Sequence, residues 1–321
     1  MMPSPTVVLF QTHFFDGLSA WQFGRLRRAC PAHFDVVVLM HAPPGTPVPP
    51  RLRGVPHHFV TTPEVRDPAY PRKSGGANWS VWGGGHPDLI MLHFAKAYPE
   101  YERYWLVEYD VRFSGSWATL FTAFEDNDAD FLTTSLRTAE HNPDWSYWET
   151  LHQPGACGPR LTDNERTVGF PPIYRASRAA VNAVDAAYRA GWGGHCEVTW
   201  PTIVRRAGLR IEDMGGNGPF TASANRGRFY TNNPTAWSLG PGGFTYKPAR
   251  YGAGLKRNML WHPVKPPLVT LREDMERAKN LVLRKARQFR EMLAGQDEAE
   301  VSLNTASSRV WRGPKGRSQV P

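Results

Sequence analysis

Three short, almost wholly apolar runs open the chain: TVVLF (6–10), FDVVVLM (34–40) and HHFVTT (57–62). They are too short for helices and lack the alternation of a half-exposed strand, so they suit strands covered on both faces of a parallel sheet. Between the first two, SAWQFGRLRRAC carries apolar residues at helical spacing. Strand then helix, repeated, points to an open, mostly parallel α/β sheet flanked by helices.

The alternation continues beyond a Gly/Pro-rich loop, DPAYPRKSGGANWSVWGGG. HPDLIMLHFAKAY predicts a helix with Pro87 at its first position and Asp88 in its first turn. It leads into the strand YWLV (104–107), a helix in SGSWATLFTAF and a strand in ADFLTTSL. Residues 138–170 are polar, aromatic and irregular. FPPIYRASRAAVNAVDAAYRAG then gives a strand edge and a helix stopped by Gly191. HCEVTWPTIVRRAG predicts a helix with Pro201 in its first turn and Gly208 as its stop, and LRIEDM a last strand. Residues 214–258 are rich in Gly, Asn and Pro with few strand signals. The expected catalytic body is 1–268.

The clearest helix follows at 269–295. Thr270 and Glu273 have capping-box spacing, and Leu271, Met275, Ala278, Val282, Phe289 and Leu293 line one face. That stripe must be covered, either by the body of the protein or by an anionic membrane that meets Arg277, Arg284, Lys285, Arg287 and Arg290. The polar remainder, 296–321, is expected to be disordered.

The formal charge is +9 over 321 residues. From residue 269 onward 11 Lys/Arg stand against 7 Asp/Glu, a surplus of +4, which leaves +5 on the longer body. That fits a polyanionic ligand such as a nucleotide. No RNA-module signature is present, so nucleic acid is not an expected partner. Three cysteines, Cys30, Cys157 and Cys196, lack metal spacing and suit a reducing, cytoplasmic setting. Val7 to Phe10 is too short for a signal-peptide core, and no apolar run is long enough to span a bilayer.

One strand ends oddly. YWLVEYDVRFSG finishes an apolar run in Glu108 and Asp110. In open α/β sheets ligands bind at the carboxyl ends of strands. Residues i and i+2 of a strand share a side, so the two carboxylates are expected to face one point. Two hard oxygen donors beside a phosphate site are how Mg²⁺ or Mn²⁺ is commonly held. The bland alternative is an acidic pair capping a neighbouring helix.

With these elements in order, the chain resembles the GT-A glycosyltransferases over about residues 5–266. LVEYDVRFSGSW resembles their D-x-D motif, with Glu108 in place of the first Asp. GHCEVTWPTIVRRAGLRIEDMG resembles the segment that carries an acceptor-side acid at a helix start, and MLWHPVK resembles the late metal-binding His. The resemblance implies transfer of a sugar from a nucleotide-diphosphate donor, a UDP-sugar as the first expectation, to a glycan or lipid-linked acceptor. It implies Asp110, His262 and Glu108 as metal ligands, with Glu108 able to reach ribose instead. Gln11 and Thr12 would meet the nucleotide, Lys73 the phosphates, and Glu197 would be the base of an inverting reaction, with Asp213 next in line. Trp192, Trp145 and Trp148 are candidate sugar platforms or core packing. A sugar nucleotidyltransferase is one rival, although QTHFFDGLSAW replaces the Gly-rich basic signature expected after its first strand. A non-catalytic nucleotide-sugar or glycan binder on the same fold is the other.

Overall fold

The computed structural model describes residues 5–76, 79–231 and 243–307, the last stretch with side chains to residue 286 and at 288. Two compact units divide at Lys265 and Pro266.

The first unit follows the β/α alternation: β1 (Thr6–Thr12), α1 (Gly17–Ala29), β2 (Phe34–Ala42), β3 (His57–Thr61), α2 (Thr62–Val65), α3 (Asp88–Ala97), β4 (Arg103–Glu108), β5 (Arg112–Phe113), α4 (Trp117–Ala123), β6 (Phe131–Thr138), β7 (Thr167–Ser177), α5 (Arg178–Arg189), α6 (Cys196–Arg206), β8 (Ile211–Asp213) and β9 (Leu260–Trp261). Seven strands form one sheet in the order β3-β2-β1-β4-β7-β6-β8. β1 pairs parallel with β2 and β4, β2 with β3, and β6 with β8. β7 alone runs antiparallel, to β4 and to β6. The fold is therefore α/β with a mostly parallel sheet.

Strand alternation sorts the core into two layers. Val7, Leu9, Tyr104 and Leu106 pack with α3, α5 and α6 on one face. Val8, Phe10, Trp105 and Val107 pack with α1 and α4 on the other. Both faces are covered, which is why these strands read as unbroken apolar runs.

Two local expectations are corrected. β7 is an eleven-residue interior strand rather than a short edge. Pro171 and Pro172 are tolerated because β4 pairs only from Ile173 onward and the β6 ladder is irregular there. In α6, Pro201 is not in the first turn but inside the helix, removing the N–H that would have met the Glu197 carbonyl.

The described part of the second unit is one helix, α7 (Pro267–Ser307), longer than expected at its far end. Thr270 therefore sits inside the first turn rather than at a cap, and its hydroxyl donates to the Pro266 carbonyl at 3.3 Å. The side chains of Phe289 and Leu293, and the tail beyond Ser307, lie outside the described residues. Among the described residues, no helix is long and apolar enough to cross a membrane.

Candidate functional site

The strand order reverses between β1 and β4, since β2 and β3 continue one way and β4 starts the other. Ligands of open α/β sheets lie in the crevice at such a switch point. Gln11 of β1 and Glu108 of β4 are register partners there.

β4 stops at Glu108 and the chain turns at once, with the Val111 N–H donating to the Glu108 carbonyl at 3.0 Å. Glu108 and Asp110 thus converge through a tight turn, not through strand alternation. A two-stranded ladder supplies the third member. β5 pairs antiparallel with β9, and the Val264 N–H donates to the Asp110 carbonyl at 2.8 Å, which carries His262 to the acids across 152 residues of sequence. Its Nε2 lies 3.4 Å from Asp110 Oδ1 and 3.8 Å from Glu108 Oε2. One ligand atom from each of the three lies within 4.8 Å of the others, the only such cluster of His, Cys, Asp and Glu among the described residues.

The three groups shift one another's protonation. His262 Nδ1 donates to the Thr245 carbonyl at 2.7 Å, so Nε2 is the nitrogen facing the carboxylates. Burial works against charge on His262, but Asp110 and then Glu108 raise its pKa. Burial and the like charge of Asp110 raise Glu108. Burial also acts upward on Asp110, yet His262, Lys265 and Arg112 bring it below the usual carboxylate value. Asp110 Oδ1 is buried without a hydrogen-bond partner, the 3.4 Å approach of His262 being an ion-pair contact too long for a strong bond. A carboxylate oxygen with only a long contact to His262, a second carboxylate and that imidazole nitrogen fit a divalent cation.

Glu197 enters from α6. Its N–H donates to Nδ1 of His195, the helix N-cap, at 3.3 Å. Burial, and then the charge of Glu108, push its carboxyl up to about 8. Of the two acids it is Glu108 whose charge reaches Glu197.

Gln11 is buried, and among the described residues its amide Nε2 has no hydrogen-bond partner. Thr12 differs: its hydroxyl donates to the Phe14 carbonyl at 2.6 Å and accepts the Phe14 N–H, so the turn uses it up. Lys73 is not a phosphate-facing lysine. It is fully buried, paired with Asp88 at 3.1 Å and donating to the Gly194 and Gly85 carbonyls. Asp213 is equally committed, its oxygens accepting from Leu136 N–H, Gly215 N–H and the Tyr230 hydroxyl. Trp192, Trp145 and Trp148 are buried core residues, not platforms.

Sequence reasoning missed two groups. Lys265 follows His262 on the same strand exit, and its charge reaches Glu108, Asp110 and His13. His13 packs edge-on against Tyr109 at 5.1 Å and Trp82 at 5.8 Å, and Trp82 is 42% exposed. Lys265 was findable from its spacing to His262; the aromatic group, drawn from three separate segments, was not.

No protein-family model matches the sequence, and no curated protein matches it. Among solved structures the chain is similar to mouse xyloside xylosyltransferase 1 in its apo form, at 12% identity over 66% of this chain and 85% of that one, TM-score 0.36. It is also similar to 4-diphosphocytidyl-2C-methyl-D-erythritol synthase from Anaerococcus prevotii, at 9% identity over 70% and 91%, TM-score 0.38. A third is a glycosyltransferase involved in glycosylation of the major capsid of PBCV-1, at 11% identity over 68% and 85%, TM-score 0.31. Identity this low says nothing about substrate.

Proposed function

We propose that the chain transfers a sugar from a nucleoside-diphosphate donor to an acceptor hydroxyl, using a divalent cation held by Asp110, His262 and Glu108. The observation that carries this is the convergence of those three side chains within 4.8 Å at the switch point of the sheet. The imidazole in the donor set favours Mn²⁺ over Mg²⁺. A bound cation would offset the charge that develops on a departing diphosphate.

The chain's own residues do the rest. Lys265 adds a positive charge beside the acids, the role that Lys73 cannot fill. The orphaned Gln11 amide suits a carbonyl or ribose oxygen of the nucleotide, a uridine one in a UDP-sugar. Glu197 in its ionised form, the fraction of which grows as pH rises toward 8, accepts the proton of the attacking hydroxyl, which makes the reaction a direct, inverting displacement. The acceptor is a glycan or a lipid-linked sugar. The three cysteines are unpaired, in keeping with a cytoplasmic setting.

A thermal-shift panel of UDP-, GDP- and CMP-sugars with Mn²⁺ tests the reading, because a ligand that binds only the folded state raises the melting temperature. A sugar nucleotidyltransferase would instead respond to a nucleoside triphosphate and release pyrophosphate. A binding protein would show a donor shift with no hydrolysis.

A further inference from the structure

Lys73 and Asp88 lie wholly inside the protein, with side-chain exposures of 0% and 4%. Desolvating such a pair commonly costs as much as its attraction returns, so stability does not explain it. Its contacts do. Lys73 holds the carbonyls of Gly85 at 3.3 Å and Gly194 at 2.8 Å. The second oxygen of Asp88 accepts from the Tyr188 hydroxyl at 2.6 Å and from the Trp200 indole N–H, itself on α6, at 2.9 Å.

Both carbonyls flank the start of α6. Gly85 O also accepts the Cys196 N–H at 2.9 Å, and Gly194 precedes the N-cap His195. Both glycines are in the left-handed region, at φ +71° and +128°, and a Cβ on either would lie 2.1 Å from the His195 ring or 2.5 Å from the Thr150 carbonyl. His195 can accept the Glu197 N–H only while Nδ1 is unprotonated. Burial, and then the charge of Lys73, hold its pKa down to about 4.

We propose that Lys73, locked by Asp88, is a positioning residue for Glu197: the buried ammonium gathers the Gly85 and Gly194 carbonyls and thereby fixes the first turn of α6. This rests on the reading of Glu197 as the base of the transfer.

Lys73→Met alone leaves a lone buried carboxylate and risks the fold. The working variant is Lys73→Met/Asp88→Asn, uncharged, similar in volume and still offering an acceptor to Tyr188 and Trp200. In hydrogen exchange, peptides covering residues 194–200 should exchange about tenfold faster, with the rest of the chain and the melting temperature unchanged. In Mn²⁺-dependent hydrolysis of UDP-glucose, kcat should fall about 10- to 100-fold with KM unchanged. Unaltered exchange at 194–200 in a folded variant would overturn the proposal, as would a KM that rises in step with the loss of kcat. If the wild-type chain hydrolyses no nucleotide sugar, the transferase reading fails by itself, and the exchange measurement still decides whether the pair holds α6.

Discussion

Asp110 keeps a buried oxygen whose contact is a long, 3.4 Å ion pair with the imidazole of His262, beside a carboxylate that repels it. Removing one charge there should cost the fold little and the cation everything. Asp110→Asn is expected to melt cooperatively and to lose Mn²⁺ binding in calorimetric titration; retained affinity would remove the cluster from the account. His262→Ala should lose less, because water can take a ligand position. Glu197 gives a second residue-scale prediction with a worked sign. Its folded pKa, about 8, lies above its ordinary 4.5, so the folded state holds a proton that the unfolded state releases. Stability from this group is complete below the ordinary value and declines as pH rises toward 8. Glu197→Gln should therefore raise the melting temperature at about pH 8.5 and not at about pH 4.5. In activity it should keep donor affinity while turnover falls about 10²- to 10⁴-fold. A drop smaller than tenfold would leave Glu197 as a helix-start acid worth only about 0.3–1 kcal/mol through the dipole. Asp213 would not replace it, since both its oxygens are already occupied.

Among the elements, α7 carries the most open question. Within the helix, Arg272 pairs with Glu276 at 3.5 Å and Arg277 with Asp274. Leu268, Leu271, Met275, Ala278 and Val282 fall within an arc of about 80° at the α-helical repeat. Val269, Leu281 and Leu283 lie outside that arc and are also exposed, and the commoner fate of such a helix is to pack against protein. The chain should stay in the supernatant when spun with vesicles of anionic phospholipid at low salt, whereas sedimentation that salt reverses would give the helix a membrane partner. The elements also show what a sequence can and cannot reveal. β1, β2 and β4 were legible because the middle of each is buried on both faces and reads as an apolar run, whereas the edge strand β3, with His57 exposed, shows only Phe59 and Val60. β7 was hidden by Pro171 and Pro172, which read as a break although they fall where pairing lapses. β5 and β9 are two residues each, too short to leave a pattern, yet their ladder delivers His262 to Asp110. The three converging side chains were legible from motif; the turn and the ladder that join them were not. Lys73 misled because a lysine in a Gly-rich loop looks solvated, and burial is a property of the packed loop rather than of its composition.

For the molecule as a whole, the sheet supplies a crevice, the turn after β4 supplies the acids, and the segment after β9 closes the site with His262 and Lys265. A cation held there would compete with protons for one set of groups. His262 and Glu108 both hold their protons above their ordinary pKa values, so Mn²⁺ affinity should strengthen as pH rises and release protons on binding. Titrations in buffers of different ionisation enthalpy would detect that release, and a pH-independent affinity would contradict it. The central claim, a cation bridging these residues to a nucleoside diphosphate, is tested most directly with UDP, the moiety that every UDP-sugar shares. UDP affinity measured calorimetrically in Mn²⁺ and again in EDTA should differ by at least about tenfold in the wild-type chain, and Asp110→Asn should abolish the difference. UDP that binds equally well without the metal, or fails to bind in its presence, would contradict the account.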